Sequence, residues 1–266
     1  MASITRDLRT LGYTDSGGDG PAVVLLHAFP LNSQQWESQI ESLSDRYRFI
    51  APDFQGFGGS TAPEDESTYS MDGFADDLAA LLDELGLDKV VLAGLSMGGY
   101  AAFAFLRKYR DRVSALVLAD TKAEADPPEG KEKRTNQQAQ VRADGTAGLI
   151  DGLSGALLGE PTREKKPDVV EATKRLMAGN PPAGFIGALE AMKNRPDSSA
   201  ELSQITVPTL VIVGENDGVT PVAASEALNE GIAGSKLVVI PEAGHLSNLE
   251  APEAFNGALA EFLGSL

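Results

Sequence analysis

The sequence predicts an α/β architecture: a mostly parallel sheet covered by helices on both faces, with a helical insertion late in the chain. Three observations carry that prediction. Short apolar runs recur along the 266 residues with amphipathic helical stretches between them. The runs are apolar at nearly every position instead of alternating, which is how strands buried on both faces read. The rhythm breaks once, between Thr121 and Ser203, where polar, charge-rich helices replace any buried strand. The expected organisation is therefore a core made of 1–120 and 204–266 and a helical cap, or lid, of 121–203.

The elements follow in order. Leu8 to Tyr13 reads as a first strand, and the Asp-Ser-Gly-Gly-Asp-Gly stretch from Asp15 to Gly20 as a turn. Ala22 to Leu26 is a buried strand. Ser33 to Leu43 is a helix with Asn32 or Ser33 as its cap. Phe49 to Ala51 is strand. Met71 to Leu85 is an amphipathic helix, with Phe74, Leu78, Leu81, Leu82 and Leu85 on one side, Ser70 or Asp72 as cap and Gly86 as stop. Lys89 to Ala93 and Val113 to Ala119 are strands around a helix from Met97 to Tyr109. Within the cap, helices are expected over roughly Pro128 to Asp144, Thr146 to Leu158, Asp168 to Ala178 and Pro182 to Lys193. Val207 to Val213 and Lys236 to Ile240 close the sheet, with helices over Pro221 to Leu228 and Pro252 to Leu263.

Composition excludes several functions. Twenty-two basic against 39 acidic residues give a net charge of −17, which repels nucleic acid and anionic membrane surfaces. With no cysteine, disulfides and thiolate chemistry are out. Only two histidines, His27 and His245, disfavour a metal site, so neither metal nor cofactor is expected. The N-terminus lacks the apolar core of a signal peptide, and no apolar run is long enough to span a membrane. A cytoplasmic protein is expected. Oligomeric state stays open between monomer and homodimer.

The most informative segment is Val90-Val91-Leu92-Ala93-Gly94-Leu95-Ser96-Met97-Gly98-Gly99-Tyr100. A strand runs through Gly-x-Ser-x-Gly into a helix, which puts Ser96 on a strained turn with its hydroxyl exposed above the sheet. Gly94 and Gly98 are needed where strand and helix nearly touch. A serine hydroxyl needs an adjacent base. His245, in the loop after the last strand, is the candidate, whereas His27 reads as structural. Asp217, in the loop after Val207 to Val213, is favoured as the acid that orients the base, with Asp120 at the end of Val113 to Ala119 as its rival. The backbone N–H groups of Met97 and Phe29 are the candidate oxyanion donors.

These residues resemble the α/β-hydrolase fold family, in its capped bacterial carboxylesterase and enol-lactone hydrolase-like branch. The matching pieces are His27-Ala28-Phe29-Pro30, the loop from Asp53 to Ser60, Gly94 to Gly99, Gly214-Glu215-Asn216-Asp217, and Gly244-His245 with Glu250 to Phe255. The resemblance implies a cap inserted after the sixth conventional strand. The chain departs from the family pattern at Ala28, where the family has Gly, and at Gln55, where it has Arg. Relatives that dehalogenate or open epoxides use Asp as nucleophile, so Ser96 argues against both.

The resulting expectation is a serine esterase acting on small to medium, mainly apolar acyl or aryl esters through an acyl-enzyme. Leu149, Leu153, Phe185, Ile186 and Leu189 of the cap are candidates to line the substrate site. The alternative is an enol-lactone hydrolase, whose anionic substrate calls for a cap arginine among Arg134, Arg142, Arg163 and Arg175. Perhydrolase, C–C hydrolase and hydroxynitrile lyase activities share the same triad, the last needing a cap lysine such as Lys174 or Lys193. A non-catalytic ligand receptor is the reading from another class. The expected partner is a small ester or lactone.

Overall fold

The structure is a computed structural model, described for residues 2–6 and 9–266. Eight strands form one sheet: β1 (Ala2–Arg6), β2 (Arg9–Asp15), β3 (Ala22–Leu26), β4 (Arg48–Pro52), β5 (Val90–Leu95), β6 (Val113–Ala119), β7 (Thr209–Gly214) and β8 (Lys236–Ile240). Their spatial order is β1-β2-β4-β3-β5-β6-β7-β8. Strands β3 to β8 pair in parallel, and β2 runs antiparallel to both β1 and β4. The helices are α1 (Glu37–Leu43), α2 (Met71–Glu84), α3 (Met97–Tyr109), α4 (Pro128–Asp144), α5 (Ala147–Leu157), α6 (Glu160–Lys165), α7 (Pro167–Ala178), α8 (Pro182–Lys193), α9 (Val222–Gly231), α10 (Ser247–Glu250) and α11 (Pro252–Leu263).

The α/β architecture is the expected one. The central strands β5, β6 and β7 are buried almost throughout because helices cover both faces. Val23, Val24, Leu25, Leu92, Leu116 and Ile212 have no exposed surface. Each such side chain contributes about 1.5–3 kcal/mol of transfer free energy.

The differences lie at the edges. The first expected strand is β2, shifted toward Asp15; Leu8 lies outside the described residues. A strand before it, β1, was not expected, because Ala-Ser-Ile-Thr-Arg is an edge strand with only Ile4 packed on the core. The helix expected from Ser33 begins as a 3-10 turn over Ser33–Trp36, with the Asn32 side chain accepting the Gln34 N–H. Strand β8 reads as an apolar run after Lys236, but it is the far edge and only Ile240 is buried.

Five helices, α4 to α8, lie between β6 and β7; the short α6 is additional to the four expected. They pack mainly on one another, α4 against α8 and α5 against α7. Helix α8 also seats on the core by backbone contact. A Cβ on Gly184 would lie 1.9 Å from the Gly56 carbonyl oxygen, and one on Gly187 would lie 2.4 Å from the Tyr69 ring.

The loop after β3 is braced by His27. The Phe54 N–H donates to its Nε2 at 3.0 Å, so its Nδ1–H donates to the Ala28 carbonyl at 2.9 Å. The ring is packed between Phe54 and Phe57 with centroids 4.7 and 5.2 Å away. Burial disfavours the imidazolium and holds its pKa at about 4, below the usual 6.5. Ala28 avoids a positive φ, and its N–H donates to Gln35 Oε1 at 2.8 Å. Gln55, in place of the family arginine, accepts from Arg9 and donates to Thr68.

Gly to Ala inside a helix normally stabilises by about 1 kcal/mol; Gly184→Ala is expected to lower the urea midpoint instead, because α8 must lift off Gly56. A raised midpoint would contradict the close approach. The pKa of His27 is lower in the folded chain than in the unfolded one, so its contribution is fully present above about pH 6.5 and is lost as pH falls toward 4. That loss is about 3 kcal/mol. The stability of His27→Asn, measured by urea unfolding from pH 7 to 4, is expected to fall less steeply than that of the parent chain.

Candidate active site

Ser96 occupies the turn between β5 and α3 with φ 55° and ψ −111°, a conformation strained for any residue with a Cβ. Its neighbours explain how the turn closes. A Cβ on Gly94 would lie 2.3 Å from the Gly98 carbonyl oxygen, and one on Gly98 would lie 2.1 Å from the Leu26 carbonyl oxygen. The exit of β6 clamps the same turn: the Ser96 N–H donates to the Ala119 carbonyl at 2.9 Å, and Thr121 Oγ1 donates to the Ser96 carbonyl at 2.9 Å.

Three sequence-predicted residues meet here. Ser96 Oγ lies 2.8 Å from His245 Nε2, and His245 Nδ1 lies 2.8 Å from Asp217 Oδ2. With the Nδ1–H donating to the carboxylate, Nε2 is the bare nitrogen and accepts the hydrogen bond of the serine hydroxyl. Asp217 is tied down by the Val219 and Thr220 N–H groups at 2.8 and 2.9 Å and by the Thr220 hydroxyl at 2.7 Å. Burial pushes the Asp217 pKa up, but the His245 charge and these hydrogen bonds outweigh it, leaving it below the usual carboxylate value.

Asp120, the rival acid, does not reach the imidazole. Its carboxylate accepts from the Gly214 N–H at 2.8 Å and from the Ser247 hydroxyl. Burial and the charge of Asp217 raise its pKa well above the usual range. Two buried acids on adjacent strands are thus driven in opposite directions.

The two candidate oxyanion donors are placed differently. Met97 opens α3, where helix N–H groups lack internal acceptors. Phe29 sits in the loop after β3. Neither N–H donates to a protein acceptor among the described residues.

Ser96 and His245 open onto a cavity of about 280 Å³. Of the five candidate lining residues, only Leu153 lines it. Leu149, Phe185 and Leu189 are instead packing residues, buried in the core, and Ile186 packs half-buried against it. The Phe185 ring packs edge-on against Phe29 at 5.6 Å. Apolar character alone offered these positions for the cavity, but α8 turns its apolar face toward α4 and the core. The apolar wall comes from α5 through Leu153, Ala156 and Leu157, together with Phe29, Met192 and Val219. The polar wall includes Tyr100, Lys122, Asp126, Lys133 and Arg134.

Arg134 is the one predicted arginine on this cavity, and it is paired with Asp126; Arg142 pairs with Glu66 elsewhere. Lys174 and Lys193 pair with Asp151 and Glu190 and do not line the cavity.

Sequence reasoning also passed over the residues that tie the insertion to these loops. The His245 N–H donates to the Leu157 carbonyl at 3.0 Å. The buried Glu250 carboxylate accepts from the Gly159 N–H at 2.8 Å and the Leu246 N–H at 3.2 Å. Asn180 Nδ2 donates to the Pro30 carbonyl at 2.9 Å, and its Oδ1 accepts from the Gly58 N–H at 2.9 Å. Thr220 had a readable signal, since Asp-x-x-Thr after a strand is a turn-capping pattern. The rest are backbone partners that no residue pattern names. Among the described residues, no cluster of His, Cys, Asp or Glu could hold a metal, and no helix is long and apolar enough to cross a membrane.

The chain is similar to several known proteins. A thermophilic esterase from Thermogutta terrifontis superposes with a TM-score of 0.93 at 42% identity, covering 97% of this chain and 94% of that one. The enol-lactonase from Burkholderia xenovorans superposes with a TM-score of 0.91 at 27% identity, covering 99% and 100%. The 3-oxoadipate enol-lactonase 2 of Acinetobacter baylyi is 32% identical over 251 residues, 94% of this chain and 91% of its own length. The family model for the alpha/beta hydrolase fold matches residues 21–252. On fold and sequence, the chain belongs to the α/β-hydrolase fold family.

Proposed function

We propose that this hydrolase cleaves carboxylic esters of small to medium, mainly apolar acyl or aryl groups through an acyl-enzyme on Ser96. The observation that carries the reading is the unbroken chain from Ser96 Oγ to His245 Nε2 and from His245 Nδ1 to Asp217, 2.8 Å at each step, opening onto a cavity with an apolar wall. His245 takes the serine proton as Oγ attacks the ester carbonyl. The negative charge that develops on the carbonyl oxygen is held by the N–H groups of Phe29 and Met97. His245 returns the proton to the leaving alkoxide. It then takes a proton from water, whose attack releases the acid and regenerates Ser96. Asp217 stays ionised and keeps the imidazole in the required tautomer. Residues 121–203 act as a cap whose α5 wall holds the substrate's apolar part. Relatives described as esterases support the reading.

A second reading, hydrolysis of a carboxylate-bearing enol lactone, is favoured by one observation. Lys122, Lys133 and Arg134 line the cavity of a chain whose net charge is −17. Relatives described as enol-lactonases agree with it. Steady-state rates on neutral 4-nitrophenyl esters and on an anionic enol lactone separate the two.

Ser96→Ala is expected to remove 4-nitrophenyl ester turnover, and retained turnover would overturn the nucleophile. Asp217→Asn is expected to lower kcat by about 10⁴-fold through the wrong imidazole tautomer. Asp120→Asn is expected to retain far more activity, since its carboxylate faces Ser247 and Gly214. The reverse order of losses would make Asp120 the acid.

A further inference from the structure

The proposed reaction leaves one polar group on the cavity unused. Tyr100 lies one turn beyond Ser96 on α3 and lines the cavity with only 6% of its surface exposed. Its hydroxyl makes no hydrogen bond within the described chain, yet it is not among the sealed-off polar atoms. Buried tyrosine hydroxyls normally find a partner. One that faces a cavity without a partner is placed for a group that comes from outside the protein.

The ring is held for that task. The Arg195 guanidinium carbon sits 4.0 Å from the Tyr100 ring centroid. Arg195 is itself fixed, by Asp126 Oδ1 at 2.9 Å and by the carbonyls of Met192 and Glu124 at 2.8 Å each. Asp126 is the acceptor on this wall, and Arg134 and Arg195 already occupy it. Lys122 and Lys133 line the same wall, and neither pairs with a carboxylate among the described residues. The wall therefore carries more donors than acceptors, with the Gln137 amide as the other side chain on it that can accept. Burial raises the Tyr100 pKa and outweighs the nearby guanidinium groups, so the phenol keeps its proton.

We propose that Tyr100 is a specificity-determining residue: its hydroxyl donates a hydrogen bond to an oxygen on the non-reacting part of the substrate. The preferred esters then carry an accepting oxygen in the acyl or alcohol arm, beside the apolar part that packs on α5. The inference rests on the ester reading above and narrows its substrate class.

Matched esters test it. The pairs are 4-nitrophenyl methoxyacetate with 4-nitrophenyl butyrate, and 2-methoxyethyl acetate with butyl acetate. Each pair exchanges one methylene for oxygen. Comparing the same ester on the parent chain and on Tyr100→Phe cancels intrinsic reactivity. The variant is expected to lose about 5- to 10-fold in kcat/KM, mostly through KM, on the oxygen-bearing member of at least one pair. On the hydrocarbon members it is expected to stay within about 2-fold. Its unfolding midpoint should not move, because phenylalanine keeps the ring under Arg195. Equal losses on both members, or no loss on any, would overturn the role of Tyr100 while leaving the ester reading intact. Failure of the parent chain to turn over any ester would overturn both.

Discussion

The site depends on how closely the β5–α3 turn approaches the end of β3. Gly98 lies so near the Leu26 carbonyl that a single methyl would separate helix from sheet. That contact sets Ser96 at a positive φ. It also brings the start of α3, with its free Met97 N–H, beside the strand whose exit carries Phe29. The conformation is held from the other side as well, by backbone and side-chain bonds from Ala119 and Thr121. Strain at the serine is thus balanced by three strands at once, so the turn cannot relax locally.

Electrostatics does the second sorting. Asp120 and Asp217 end neighbouring strands, and both are buried. Their hydrogen-bond partners separate them. Asp217 receives two backbone N–H groups, a hydroxyl and the imidazole, and stays ionised. Asp120 meets the field of Asp217 without a cation of its own and is pushed toward its neutral form.

The fold was legible where both faces of an element are buried. The apolar runs of β3, β5, β6 and β7 and the capped, amphipathic α2 announced themselves. Strand β1 did not, because an edge strand with Ile4 as its one packed side chain has no apolar signature. At the site, Ser96, Asp217 and His245 were readable because chemistry demands those residue types on carboxyl-end loops. The cavity wall was not. Leu149, Phe185, Ile186 and Leu189 share the apolar character of Leu153, and only three-dimensional packing distinguishes a helix face turned to its neighbour from one turned to the cavity. Tyr100 was hidden for a related reason: an aromatic on α3 looks like core until its hydroxyl proves unpartnered.

The bond from the His245 N–H to the Leu157 carbonyl bears on how such chains diversify. Insertions of this kind are often treated as interchangeable parts on a constant frame. Here the insertion also supplies Gly159 to Glu250 and Asn180 to the Pro30 loop, so it is joined to the frame at the backbone of His245, at Glu250 and at the β3 exit. A transplanted insertion would need to bring a carbonyl, an N–H and an amide to the same three points. Exchange is therefore constrained at these joints and where α8 seats on Gly56 and Tyr69, and new specificity has its easiest route through side chains such as those of α5.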